Sequence, residues 1–234
     1  MMDVIFVHGA LVRDGAWWWR RTAELLEERT GIGSRSVALP SCGEAASEDR
    51  GLVADAAALR AVLDEVDSAI VVGHSYGGTV IAEVGAHPAV AHVVLVSSYL
   101  PEVGQSQGAI MSGEADPVSI GEADAGSIAV TGYDEQSFAA RFLQDADAEA
   151  QRGGWERVTA QHLESFTTPT SAAGRSGVES TYLVCAEDRS TSVELQRLHA
   201  ARATRSVELP TGHHPFLSRP DLVASELEGV LARL

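Results

Sequence analysis

The chain contains no lysine and no asparagine. Without lysine there is no Schiff-base amine, no phosphate-loop lysine and no lysine general acid. Pyridoxal chemistry through a lysine imine and P-loop nucleotide hydrolysis are therefore excluded. Cysteine is scarce too. Cys42 and Cys185 are the only two and stand in no metal-ligand spacing, so no disulfide framework and no metal site is expected. Cys185, at the end of an apolar run, reads as a small buried hydrophobe. No window approaches the roughly 18 consecutive apolar residues of a membrane span. The start of the chain passes straight into Val4-Ile5-Phe6-Val7, without the basic region or small-residue cleavage site of a signal peptide, so a cytoplasmic location is the expectation. Positive charge is also in deficit, since 17 arginines face 33 acidic residues for a formal net charge of −16. That balance argues against nucleic acid and anionic membranes as partners.

What is present is a pattern of alternating strands and helices in 234 residues, 45% of them hydrophobic, a length and composition suited to one domain. Residues 4–7 read as a strand, 17–29 as a helix with Trp18, Thr22, Leu25 and Leu26 near one face, and 35–39 as a strand ended by Pro40. A helix over 52–66 follows. Residues 69–72 and 93–96 are near-continuous apolar runs, the mark of parallel strands covered on both sides. The pattern resumes with a strand over 181–185, a helix over 192–201 with Ser192 as N-cap, a strand over 206–209 and a last helix from Pro220 to Leu234. Such alternation predicts an α/β fold, a mainly parallel sheet with helices on both faces.

Between the halves the alternation breaks. Residues 104–127 are rich in glycine, serine and acids and read as loop, whereas 135–143 and 147–161 read as two helices. Phe138, Phe142, Trp155 and Phe166 offer apolar anchors, and residues 101–174 carry 12 acidic residues against 3 arginines. Aromatics inside and acids outside suit a small cap over a pocket. Residues 100–175 are therefore assigned to a cap inserted in a core of residues 1–99 and 176–234. The competing interpretation is a solvated excursion with its own small core.

The chemistry centres on Gly73-His74-Ser75-Tyr76-Gly77, a G-x-S-x-G sequence directly after an apolar strand and before a helix. There Ser75 would sit on a sharp turn with its Oγ projecting from the sheet top. Alone the pattern is weak, and an ordinary strand-to-helix turn with Ser75 as a helix cap would also satisfy it. A nucleophilic serine needs a base, and the base an orienting acid, in the chain order Ser, acid, His. Both slots are filled, by Asp188 after a late strand and by His213 after the last one. Each has a competitor next to it. Asp188 is preferred to Glu187 because a shorter side chain suits a fixed hydrogen bond, and His213 to His214 because it follows the flexible Gly212 while His214 is held extended by Pro215. The oxyanion donors are assigned to the N–H groups of Tyr76, next to the nucleophile, and Ala10, in the loop after the first strand, with His8 as a strut for that loop. Leu11, Trp17, Tyr99, Phe138, Phe142, Trp155 and Phe216 are candidate pocket residues. Histidines 87, 92, 162 and 199 read as surface or structural.

Together, Val7-His8-Gly9-Ala10 with Gly15-Ala16-Trp17-Trp18-Trp19, then Gly73 to Gly78, Tyr182 to Asp188, and Gly212-His213-His214-Pro215-Phe216 resemble the α/β-hydrolase superfamily over nearly the whole chain. More closely, the chain is similar to its small-cap esterases, the group of plant methyl esterases, hydroxynitrile lyases and bacterial pyrethroid-hydrolase-like proteins. The resemblance implies Ser75, Asp188 and His213 as a triad, with Ala10 and Tyr76 as oxyanion donors. It also implies an α/β-hydrolase fold of about six parallel strands, the first of them central, under a small helical cap. The hydroxynitrile lyases of the group use an active-site lysine, which this chain lacks. The expectation is a cofactor-independent carboxylesterase for neutral, small-to-medium esters, with no partner but its substrate and homodimer formation left open. Its rivals are a lactonase, a cofactor-free lyase or oxygenase on the same residues, and a ligand-binding receptor of the same fold.

Overall fold

The computed structural model describes residues 2–46, 50–124, 126–173 and 177–234. The first half of the core holds β1 (Met2–Val7), α1 (Gly15–Thr30), β2 (Ser34–Val37), α2 (Leu52–Leu63), β3 (Ser68–His74), α3 (Gly77–Val84) and β4 (Val90–Val96). The excursion that follows holds α4 (Gln107–Met111), β5 (Ile120–Asp124), β6 (Ser127–Val130), α5 (Glu135–Phe142), α6 (Ala148–Trp155), β7 (Gln161–His162) and α7 (Glu164–Thr167). The core then resumes with β8 (Ser180–Cys185), α8 (Val193–Ala200), β9 (Arg205–Leu209), α9 (Pro215–Ser218) and α10 (Pro220–Leu231). The core–cap boundary drawn at 175/176 lies outside the described residues.

Six strands pair in parallel in the order β2-β1-β3-β4-β8-β9. The centre is thus β3 and β4. β1 lies second from one edge, which corrects the expectation that the first strand is central. The order follows from crossovers, since β1 returns outward to β2 before the chain crosses back to β3. Period-two alternation divides the core into two layers. Val4 and Phe6 of β1 face a layer containing Trp18, Trp19 and Leu26 of α1 and Val223, Leu227 and Val230 of α10. Ile5 and Val7 face the opposite layer, with Leu52, Leu59 and Leu63 of α2 and Val80 of α3. Phe6 stacks on Trp19 with ring centroids 4.5 Å apart, which fixes α1 against the sheet.

Helix ends follow local chemistry. Asp14 caps α1 by accepting from Trp17 N, and Gly31 ends the helix in the left-handed region at φ 72°. Ser192 caps α8 through the Leu195 N–H. Several elements are shorter than their apolar periodicity suggests, α2 stopping at Leu63 and α10 at Leu231.

Residues 104–127 do not form loop throughout. They contain α4 and β5, and β5 pairs antiparallel with β6, which pairs with β7 in a three-stranded sheet. The outer residues of β5 are exposed, so it has little of the apolar alternation that reveals a strand. The helix expected over 147–161 ends at Trp155, and Gln161 belongs to β7 instead. Two bridges join this region to the core loops, Val12 to Val158 and Cys42 to Gln161.

Candidate active site

The turn after β3 places Ser75 at φ 49°, a conformation that costs a residue with a Cβ about 1–2 kcal/mol. The surroundings hold it there. Ser75 O accepts from Gly78 N at 3.1 Å, Tyr99 N at 3.2 Å and Ser98 Oγ at 2.7 Å. The glycines are steric necessities. A Cβ on Gly73 would lie 2.6 Å from Ile81 Cδ1, one on Gly77 would lie 2.5 Å from Val7 O, and one on Gly78 would collide with Tyr99 O. Sheet, turn and helix therefore interlock around one serine.

Asp188 and His213 meet from the loops after β8 and β9. His213 Nδ1 lies 2.7 Å from Asp188 Oδ2, and both side chains are buried, at 5% and 0% exposure. The carboxylate is saturated with donors. Its Oδ1 accepts from Ser190 N at 2.6 Å and Thr191 N at 3.1 Å, and its Oδ2 from Gln196 Nε2 at 3.0 Å and Ser97 Oγ at 2.5 Å. Burial opposes the charge, but His213, Ser97 and the Ser190 N–H outweigh it and hold the Asp188 carboxyl below its ordinary range. An ionised carboxylate only accepts, which puts a proton on Nδ1, so that in the neutral imidazole the lone pair is on Nε2. Glu187 is exposed and directs its backbone elsewhere, its N–H donating to Thr211 O at 3.0 Å.

Ser97 is a site residue that sequence reasoning missed. It sits at φ 40° just beyond β4, donates to Asp188, and its Oγ lies 3.1 Å from His213 Nδ1. No local signal distinguishes it from Ser98. Its position depends on β4 lying between β3 and β8.

Ser75, His213, Ala10, Leu11, Tyr99, Phe138, Phe142 and Phe216 line one cavity, whose wall draws on both the core and the excursion. Trp17 and Trp155 are not in its wall. Trp17 turns outward beneath the Arg157 guanidinium, 4.2 Å from its ring, and Trp155 backs Phe138 at 5.5 Å between centroids. Trp18 takes the wall position, one residue along and about 100° around α1. The excursion adds Met111, Val118, Val130 and Phe166, and no arginine, aspartate or glutamate is among the described lining residues. Most acids of the excursion are exposed, whereas Asp145 turns inward and accepts from Gly212 N and Ser218 Oγ.

The N–H groups of Ala10 and Tyr76 have no hydrogen-bond partner among the described residues. The adjacent Leu11 N–H is occupied, donating to Gln161 Oε1 at 2.7 Å. Leu11 itself stands at φ 61°. The Tyr76 side chain points away from the cavity, stacked 6.0 Å from Phe166, with its hydroxyl on the buried Asp55. Burial raises the Asp55 carboxyl, an effect countered by its bonds from Ser41 and Tyr76.

Three histidines come together behind the serine. One ring nitrogen from each of His74, His213 and His214 lies within 4.8 Å of the other two, the one such group of possible metal ligands found among the described residues. Tertiary folding assembles it, so no sequence spacing announces it. One nitrogen of each ring is already engaged: His74 Nε2 on His213 O at 3.0 Å, His214 Nδ1 on Phe142 O at 2.9 Å, and His213 Nδ1 on Asp188. The His213 loop is thereby tied to β3 and to α5. Gly212 is not a flexible pivot, because its N–H donates to Asp145 Oδ2 at 2.7 Å and a Cβ there would overlap Gln144. His8 Nδ1 lies 2.8 Å from Gly9 O and braces the loop after β1. His92 is buried on Thr181 Oγ1 at 3.0 Å, and His199 Nδ1 accepts from Leu100 N at 3.3 Å.

The architecture agrees with what the chain is similar to. A carbendazim hydrolyzing esterase of Nocardioides sp. (strain SG-4G) is 26% identical over 97% of this chain and 98% of its own. A probable hydrolase of Phoma sp. (strain ATCC 20986 / MF5453) is 26% identical over 74% of this chain and 75% of its own. A pyrethroid hydrolase from Sphingobium faniae JZ-2 superposes with a TM-score of 0.83 at 22% identity, covering 98% of this chain and 97% of that one. A methylesterase from Arabidopsis superposes at 0.79 and 17% identity over 100% of both chains. At such identities the structural likeness is one of fold. The model of the alpha/beta hydrolase family matches residues 4–226, and the chain belongs to that family.

Proposed function

We propose that the protein is a cofactor-independent carboxylic-ester hydrolase in which Ser75, His213 and Asp188 form an acyl-transfer triad. The observation that carries this reading is the 2.7 Å contact of His213 Nδ1 with the buried Asp188 carboxylate, behind a cavity whose wall holds both His213 and Ser75. Relatives named as hydrolases and esterases support the same reaction class. His213 Nε2 takes the Ser75 proton as Oγ attacks the ester carbonyl carbon, and Asp188 stabilises the imidazolium. The N–H groups of Ala10 and Tyr76 hold the oxyanion, each contributing on the order of 3 kcal/mol. His213 then passes its proton to the departing alkoxide. Water attacks the acyl-enzyme by the same route, releasing the acid and returning the proton to Ser75. The lack of Asp, Glu and Arg among the described lining residues favours neutral substrates, because an ionised one would lose its hydration without a counter-ion.

Ser75→Ala should abolish turnover of p-nitrophenyl butanoate while leaving the circular dichroism and thermal midpoint of the fold in place. An organophosphonate should label the parent enzyme once, at Ser75. Undiminished turnover by the variant would refute the nucleophile, and failure to label would favour a ligand-binding protein.

A further inference from the structure

The cavity wall holds a polar side chain that the triad does not use. Gln107 opens α4 and is 1% exposed. Its Oε1 accepts from Thr79 Oγ1 at 2.5 Å. Its Nε2 has no hydrogen-bond partner among the described residues, yet it is not sealed off by packing, and Gln107 lines the same cavity as Ser75 and His213. An amide NH2 left unpaired in an apolar surrounding is costly unless something outside the chain relieves it. Around it the wall is apolar, with Met111 and Phe166, and Tyr99 has its hydroxyl 3.3 Å from Thr191 Oγ1. Ser190 is a further polar residue on the wall beside Ser75 and the histidines, but a hydroxyl rotates to donate or accept. The Gln107 amide cannot do so while Thr79 holds its oxygen.

The position of this donor is set. Thr79 lies in α3, the helix that leads out of the Ser75 turn, so the amide is anchored to the element beside the nucleophile. α4 is braced in turn against α7, since a Cβ on Gly108 would lie 3.1 Å from Phe166 O. The leaving alkoxide must face His213, which sits beside Phe142 of α5 with ring centroids 6.1 Å apart. Gln107 enters the wall from α4, which packs on α7, and the acyl part is taken to lie on that side.

We propose that Gln107 Nε2 is a substrate-binding donor, and that the preferred esters carry a hydrogen-bond acceptor, an ether or carbonyl oxygen or a ring nitrogen, within a few bonds of the scissile carbonyl on the acyl side. A hydrocarbon isostere leaves the donor unpaired and is disfavoured in the transition state as well as in binding. This rests on the ester-hydrolase reading above.

The test compares p-nitrophenyl methoxyacetate with p-nitrophenyl butanoate, which differ by an oxygen for a methylene and share a leaving group. Each kcat/KM is divided by the ester's own hydroxide rate and normalised to the active sites titrated with organophosphonate. The parent enzyme should favour the methoxy ester by about tenfold or more. Gln107→Leu with Thr79→Val removes both partners and should bring the ratio to about one. Gln107→Met keeps the length of the side chain but presents no donor, and should also bring the ratio to about one. A ratio of one in the parent enzyme overturns the proposal without any variant, and an unchanged ratio in either variant overturns it too. Turnover surviving Ser75→Ala would instead refute the hydrolase reading, so the two failures are distinct.

Discussion

The Tyr76 hydroxyl donates to Asp55 Oδ2 at 2.7 Å, tying the residue after Ser75 to the first turn of α2. The same carboxylate accepts from Ser41 N at 2.9 Å and Ser41 Oγ at 2.6 Å. Ser41 Oγ in turn accepts from Gln161 Nε2 at 2.9 Å, and Gln161 Oε1 holds the Leu11 N–H. One buried chain of bonds thus runs from the turn after β3 to the loop after β1, the two places that supply the proposed oxyanion donors.

Asp55→Ala should therefore act on both stability and chemistry. It leaves three donors without an acceptor, at a cost of about 2–4 kcal/mol. Urea unfolding measures that loss. Activity per titrated site should fall through kcat more than through KM, because oxyanion contacts are made chiefly in the transition state. A variant as active per site as the parent would show that the chain of bonds serves stability alone.

Asp188→Asn should lower kcat by about 10⁴-fold, since it favours the wrong imidazole tautomer. Ser97→Ala should cost less, about tenfold, because it removes one of several donors to Asp188. Steady-state kinetics on both variants, with Glu187→Gln as comparison, checks the assignment. A large loss from Glu187→Gln alone would move the acid to that residue.

Stability should decline below about pH 6.5, the ordinary value for an unfolded histidine. Burial pushes His8, His74, His199 and His214 down, His199 to about 4 beside Arg202 and His214 to about 3 beside His213. Their folded values lie below the unfolded one. Their contribution is therefore complete above pH 6.5 and is lost as pH falls toward the folded values. Each histidine kept neutral costs about 1.4 kcal/mol per pH unit in that window. His214→Gln should flatten the dependence of urea stability on pH by one such increment between pH 6.5 and 5. An unaltered slope would mean that His214 protonates in place.

Gly78→Ala and Gly31→Ala separate steric from conformational cost. Gly31 stands at φ 72° with open space around it, so alanine there should cost only about 1 kcal/mol. A Cβ at Gly78 strikes Tyr99 O and Ser98 Oγ, the hydroxyl that holds Ser75 O. That variant should lose more stability than Gly31→Ala and most of its activity. Thermal midpoints, at about 2–4 °C per kcal/mol, together with ester kinetics distinguish the two.

The parts of the site that were legible in sequence are those carried by local order. An apolar run ending in Gly73-His74-Ser75, an acid after β8 and a histidine after β9 are each visible within a few residues. What was not legible depends on packing between distant elements. Three consecutive tryptophans differ by about 100° each around α1, and only the seating of that helix decides that Trp18 enters the wall. Gln107 lies in a stretch whose glycine and serine content reads as loop. Asp55 does carry a signal, a carboxylate beside Leu52, Ala56 and Leu59 on the apolar side of α2, and it points to a buried acceptor in need of donors. The strand order escaped for a similar reason, as periodicity shows that β1 is buried on both faces but not which neighbours flank it.

The bridges Val12 to Val158 and Cys42 to Gln161, with Arg13 N donating to Arg157 O at 2.9 Å, have a consequence for engineering. Residues 157–162 are stitched into the loops beside the serine. A chimaera that replaced residues 100–175 as one block would exchange those stitches along with the pocket wall. Substrate range is therefore better re-specified point by point at the wall, leaving residues 157–162 in place, than by swapping the whole excursion.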